Sequence, residues 1–172
     1  QVNAKYAFYR THYVNNDDKL IHVDNLYKQR EIYLSSANVY SILSNWDVSA
    51  SYDLQWNKMN ADMYGFVYPE RFTNLLSVAT ALRLGKVKLQ ASGLATFIND
   101  RVEEGPAPEA RQILTPAVFA SYKPFEKQDF NVRAFYKRIF RMPTFNDLYY
   151  ADMGNSKLNP EYVTQYDAGF AY

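Results

Sequence analysis

The clearest feature of this sequence is an alternation of apolar and polar residues with a period of two. Between residues 46 and 57 the apolar positions are Trp46, Val48, Ala50, Tyr52, Leu54 and Trp56, and the polar positions are Asp47, Ser49, Ser51, Asp53, Gln55 and Asn57. Successive side chains of a β-strand point to opposite faces, so this pattern predicts a strand with one apolar and one polar face. Residues 86–97 repeat the pattern, and other segments follow it less strictly.

Extending this reading along the chain predicts eight strands. They lie near residues 2–14, 30–44, 46–58, 72–84, 86–98, 113–125, 130–142 and 162–172. Short turns at Asn45, Gly85 and 126–129 then alternate with long loops at 15–29, 59–71, 99–112 and 143–161. Meanders with short turns at one end and long loops at the other are typical of outer-membrane barrels. The predicted fold is therefore all-β, an antiparallel meander of about eight strands in a transmembrane β-barrel.

Aromatic content and proline positions refine this prediction. The chain has 16 Tyr, 11 Phe and 2 Trp, and such rings suit both strands and the membrane–water interface. Trp46 lies near a short turn and Trp56 near a long loop, as in the two aromatic girdles of a membrane barrel. Pro116 and Pro143 remove backbone donors, so we expect both towards the long-loop end, where water replaces the lost partner.

Charge and residue types exclude several classes of function. Nineteen Lys and Arg nearly balance 18 Asp and Glu, which gives no reason to expect nucleic-acid binding. Cysteine is absent, which excludes disulfides and thiolate metal sites, and with only two histidines no catalytic constellation emerges. Residues 15–18 (NNDD) could offer oxygen ligands to calcium, but a polar turn is the commoner meaning of such a run, so no metal or cofactor site is predicted. We do not expect an enzyme.

Two long loops carry clusters of rings that suit ligand binding. Tyrosine, phenylalanine and methionine offer broad apolar contact to a bulky ligand, and phenol groups orient it. The candidate ligand-binding residues are Tyr64, Phe66, Tyr68, Arg71, Tyr149, Tyr150 and Met153. An alternative interpretation is that these rings form an interfacial girdle or only pack the loops.

Two motifs near the end of the chain resemble a known family. Residues 140–149 read FRMPTFNDLY and residues 155–161 read NSKLNPE, followed by an alternating strand. This order resembles the barrel of TonB-dependent outer-membrane receptors, although Ser156 and Asn159 replace the usual proline and lysine. The resemblance implies an architectural role for the motif residues Phe140, Arg141, Pro143, Leu148, Asn155, Leu158, Pro160 and Glu161.

The resemblance also implies a function and a setting. Residues 1–172 would be a segment of a larger barrel in the bacterial outer membrane, without the plug and the remaining strands. The parent receptor would bind a large scarce nutrient, such as a metal chelate of a siderophore, haem or a corrinoid like cobalamin. Its partners would be outer-membrane lipid, the nutrient, and the TonB complex, which acts through the plug region.

Two other interpretations remain open at this point. The chain could be a soluble all-β module that binds a ligand or carbohydrate on its rings. It could also be a complete eight-stranded outer-membrane barrel with a structural role, since eight tilted strands can close on themselves. A larger parent barrel predicts instead that the first and last strands have no partner on one side.

Overall fold

The structure, a computed structural model, describes residues 1–16, 22–105, 107–150 and 154–172. Each strand pairs antiparallel with the next in chain order, as predicted. The elements of the described residues are β1 (Val2–Asn15), β2 (Val23–Leu43), β3 (Trp46–Ala61), β4 (Glu70–Leu84), β5 (Val87–Arg101), β6 (Arg111–Tyr122), β7 (Asn131–Arg141), α1 (Phe145–Tyr149) and β8 (Glu161–Ala171). None of their helices has the length and apolar character needed to cross a membrane.

Connections between the strands fall alternately at the two ends of the sheet, and the predicted tight turns at Asn45 and Gly85 are present. The predicted turn at 126–129 is longer than expected, because residues 123–130 connect β6 to β7 and are as many as those of 62–69. Residues 44–45, 85–86 and 123–130 form one end of the sheet, here called the short-turn end. The connections 16–22, 62–69, 102–110 and 142–160 form the opposite, long-loop end. Gly85 has a φ of +55° in its tight turn, a left-handed conformation that glycine adopts without steric cost.

The two faces of the sheet differ as the alternation predicts. The face of Asp47 and Ser49 also carries the buried side chains and α1, and we call it the inner face. The opposite, outer face exposes large apolar side chains, including Tyr52, Leu76 and Leu114, which lie in one row across β3, β4 and β6 with Ala95 of β5 between them. A contiguous apolar surface of this kind indicates contact with lipid or another apolar partner.

Other differences from the sequence prediction concern β2, α1 and Pro116. β2 begins at Val23 instead of near residue 30, because it pairs with β1 as far as Asn15, beyond the apolar stretch. The short helix α1 was not predicted. Pro116 lies opposite Gly93 in the middle of β6, so its expected place towards the long-loop end was wrong. The ladder of β6 with β7 begins only at the next residue, Ala117, which lets the sheet accommodate a residue without an N–H group.

Candidate functional site

Buried apolar residues gather on the inner face at the long-loop end. These residues form the loop cluster: Tyr27, Met59, Ala61, Phe66 and Phe145. β2, β3, the 62–69 loop and α1 each contribute to it, so the cluster joins parts of the chain that are far apart in sequence. Tyr150 stacks on Tyr27 at 4.3 Å between ring centroids, and Phe66 meets Tyr27 edge-on at 6.2 Å. The cluster therefore holds two long connections against the strands.

A buried ion pair lies beside the loop cluster. Arg71 Nε and Nη2 each donate to Asp100 at 2.7 Å, and the two side chains are only 9% and 5% exposed. Arg71 Nη1 donates to the carbonyl oxygen of Pro143 at 2.7 Å, and the guanidinium lies 5.2 Å from the ring centroid of Phe145. Arg71 thus ties β4 and β5 to the segment that enters α1.

The segment that enters α1 is held by a capping box. Thr144 is the N-cap: its Oγ1 accepts from the Asp147 N–H at 3.3 Å, and Asp147 Oδ2 accepts from the Thr144 N–H at 2.8 Å. The hydrogen bonds from the Thr144 backbone and hydroxyl, and then the charge of Arg141, hold the pKa of Asp147 below its usual value. The carboxylate is thus the form that stabilises the first turn of α1.

The family-motif residues occupy the whole connection from β7 to β8. Phe140 and Arg141 end β7, Pro143 is buried just before α1 and Leu148 is buried within it. Asn155 and Leu158 belong to the turn that follows, Pro160 is buried, and Glu161 begins β8. Asn155 donates its N–H to the Asp147 carbonyl at 2.9 Å and accepts from the Leu158 N–H at 3.2 Å. These contacts fold the motif onto itself and onto the inner face.

The candidate ligand-binding residues fall into two groups. Phe66 is 2% exposed and Arg71 is also buried, so both contact other parts of the protein. Tyr64 is fully exposed, while Tyr68, Tyr149 and Tyr150 are half-buried around the loop cluster. Burial, and secondarily the charge of Asp100, raises the pKa of Tyr149, which keeps its hydroxyl neutral. Met153 lies outside the described residues.

The backbone at Tyr68 adopts an unusual conformation. Its φ of 47° lies in the left-handed region, which a bulky residue rarely adopts, and Pro69 follows it. Both flanks are fixed, because the Val67 carbonyl accepts from the Glu103 N–H at 2.9 Å and the Pro69 carbonyl accepts from the Met59 N–H at 3.0 Å. Strain of this kind persists where the surroundings determine the conformation, and it occurs often at binding sites.

Two cavities flank α1 on the inner face. One of about 330 Å³ lies between α1 and the first strands, with Tyr9, Glu31, Asn146 and Tyr150 in its wall. The other, of about 360 Å³, is lined by Gln29, Arg71, Thr96 and Phe145 among others. Both volumes fall in the lower range of ligand pockets. Rings with amide, hydroxyl and carboxylate groups suit binding of an organic ligand.

Sequence reasoning missed several residues that build this site. Tyr27 and Met59 are almost fully buried, and Thr96 has a buried hydroxyl without a hydrogen-bond partner among the described residues. Tyr27 lies in the part of β2 that the sequence predicts as a loop. The available signal was weak: Val23 and Tyr27 are apolar and four positions apart, which puts them on one face of a strand. The described residues contain no group of three or more His, Asp or Glu side chains placed to hold a metal ion.

Comparison with known proteins identifies the family to which this architecture corresponds. A family model described as "TonB dependent receptor-like, beta-barrel" matches residues 1–172. No curated protein sequence matches the chain. A solved structure named "Copper transporter OprC" superposes with a TM-score of 0.71 at 14% identity, covering 99% of this chain and 32% of that chain. A second, "Structure of the FpvAI-pyocin S2 complex", gives a TM-score of 0.49 at 16% identity, covering 98% and 27%.

Proposed function

This chain belongs to the TonB-dependent receptor β-barrel family, and from this premise we propose that it is part of a receptor that imports a large, scarce nutrient across the bacterial outer membrane. Members of the family are transporters and not enzymes. The observation that carries the proposal is the family match over the whole chain. The sheet agrees with it, since its apolar outer face suits lipid and its long loops lie together at one end.

The proposed cargo is a metal chelate, haem or a corrinoid. The rings at the long-loop end support this class, because a large cargo with apolar surface gains from broad aromatic contact. Tyr64 and Tyr68 offer rings from the 62–69 loop, and Tyr149 and Tyr150 offer rings beside α1. One solved structure that this chain resembles is named as a copper transporter, which supports a cargo that carries a metal.

The proposal also assigns the chain a place in a larger assembly. The chain spans 32% of the length of the first solved structure that it resembles. β1 and β8 stand at the two ends of the sheet, and the described residues form no ladder between them. We therefore propose that residues 1–172 are a section of a larger barrel, and that a plug region elsewhere in the protein receives energy from the TonB complex.

Uptake measurements on the full-length protein test this function. Cells that produce it as their only receptor of this family should accumulate one of three labelled probes: a ferric siderophore, haem or cobalamin. Uptake should stop when TonB is inactivated, while binding to the cell surface should persist. Uptake that continues without TonB would contradict the proposed mechanism, and failure to bind any of the three would contradict the cargo class.

Substitution of the loop rings tests where the cargo binds. Alanine at Tyr64 and Tyr68 should weaken cargo binding by about tenfold in total, because aromatic anchors commonly dominate binding energy. Tyr166→Ala is the matched control, since its ring is exposed on the outer face of β8 and remote from the long loops. Unchanged affinity in the double variant would mean that the rings serve the membrane interface and that the cargo site lies elsewhere.

A further inference from the structure

The outer face changes from apolar to cationic near the long-loop end of β1, β2 and β3. One row across the strands consists of Tyr6, Ile32, Trp56 and Phe72. The next two rows towards the long loops contain four cations on the same face: Arg10, Lys28, Arg30 and Lys58. We call these four residues the basic patch. It lies where the apolar band ends, which is the level of lipid headgroups if the band spans the membrane core.

The register places like charges of the basic patch directly opposite each other. Arg10 faces Lys28 across β1 and β2, and Arg30 faces Lys58 across β2 and β3. Like charges in this position destabilise a sheet. β2 is flanked on both sides by described strands, so the cross-strand neighbours of its two cations are known. Lys28 lies between Arg10 and Asn60, and neither neighbour is acidic.

Among the described residues, carboxylates near the basic patch are already engaged. Lys58 Nζ pairs with Glu103 at 3.0 Å, and Glu70 accepts a hydrogen bond from Trp56 Nε1. Within the part of the chain that the structure describes, Arg10, Lys28 and Arg30 form no salt bridge. All three side chains are exposed. Their repulsion is therefore relieved best by an anion from outside these residues.

We propose that the basic patch binds the phosphate-bearing headgroup of an outer-leaflet lipid. Opposed residues are roughly 5 Å apart and residues i and i+2 roughly 7 Å apart along a strand, so Arg10, Lys28 and Arg30 can converge on one phosphate group. Arginine binds phosphate through two parallel hydrogen bonds. The exposed rings of Tyr6 and Phe8 lie beside the patch and would contact the acyl chains. This inference rests on the proposed outer-membrane location.

A lipid titration of the full-length protein in detergent tests the site. The probe is diphosphorylated lipid A, and native mass spectrometry measures the bound fraction. The variant Arg10→Gln, Lys28→Gln, Arg30→Gln should bind it about tenfold or more weakly, because each cation near an anionic headgroup contributes to affinity. The control variant Lys86→Gln, Lys123→Gln, Lys127→Gln removes the same charge at the short-turn end and should bind as the unmodified protein does.

Four outcomes would overturn the inference. Unchanged lipid binding in the first variant would exclude the basic patch as the lipid site. An equal loss of lipid binding in both variants would indicate an unspecific effect of charge. Equal binding of lipid A stripped of its phosphates would exclude headgroup recognition. Displacement of the lipid by millimolar inorganic phosphate would make the patch a site for free anions. Membrane fractionation keeps the two proposals apart, because absence from the outer membrane would contradict the proposed function, whatever the titration shows.

Discussion

At the residue scale, burial determines whether a loop side chain packs against the protein or is exposed to a ligand. Alternation predicted the face of each residue in β3, because a strand repeats every two positions. It could not predict that Phe66 is buried while Tyr64 is exposed, since a loop has no such period. Nor could it predict the role of Arg71, whose partner Asp100 is 29 residues away and meets it only through strand pairing.

The Arg71–Asp100 pair provides a prediction at this scale. Arg71→Ala should lower the free energy of unfolding by about 3–5 kcal/mol, because it leaves the Asp100 carboxylate buried without its partner. Unfolding by denaturant of the full-length protein in lipid vesicles measures the change. The double variant Arg71→Ala, Asp100→Ala should lose less than the sum of the two single variants. Losses that simply add would show that the two side chains do not stabilise each other.

At the element scale, the strands were predicted and the helix was not. Most of the strands follow from period-two patterning with turn residues between them, whereas those predicted at 30–44 and 113–125 rested partly on spacing. α1 has only five residues, too few to show a helical period, and it depends on the capping box and on contacts of Phe145 and Leu148. The start of β2 was missed because polar residues occupy both of its faces there. The apolar pattern thus predicts the part of a strand that carries the apolar outer face better than its polar extension towards the long loops.

The capping box of α1 predicts a pH dependence. Because the pKa of Asp147 is lowered in the folded state, its stabilisation of α1 is complete above the ordinary pKa of aspartate, about 3.9, and is lost as the pH falls through the lowered value. The protection factor of the Leu148 amide hydrogen, which is bonded to the Thr144 carbonyl, should fall on acidification when exchange is compared with the intrinsic rate at the same pH. In Asp147→Asn the protection factor should be low at every pH. A Leu148 amide equally protected in both proteins would contradict this role.

The orientation of β3 provides a second prediction for an element. Spin labels along residues 46–57 should alternate, with labels at Trp46, Ala50 or Leu54 reached by a lipid-soluble quencher and labels at Ser49 or Ser51 reached by a water-soluble one. Ala50→Arg should destabilise the barrel by about 2–4 kcal/mol if the residue lies near the bilayer midplane. Arginine at Ser51, one residue away on the inner face, is the matched control. Uniform access of the water-soluble quencher would exclude a membrane position.

At the scale of the whole molecule, the buried contacts and the candidate binding residues lie at one end of the sheet. The long-loop end combines the loop cluster, the buried ion pair and α1 on its inner face with the basic patch on its outer face. The sequence predicted this polarity from loop lengths alone. It could not predict what covers the inner face, because that depends on contacts between distant segments. The structure therefore adds the organisation of the long-loop end to a topology that the sequence already indicates.

The edges of the sheet give the prediction for the whole molecule. β1 and β8 each pair on one side only within the described residues, as expected for a section of a larger barrel. Unpaired edges accept strands from other molecules, so residues 1–172 produced alone in detergent should form dimers and larger aggregates with rising concentration. Light scattering measures this association, and the full-length protein is the control that should stay monodisperse. In the isolated segment, alternate amide hydrogens of both edge strands should exchange rapidly, whereas the full-length protein should protect them. A stable monomer with protected amides in β1 and β8 would mean that the eight strands close on themselves.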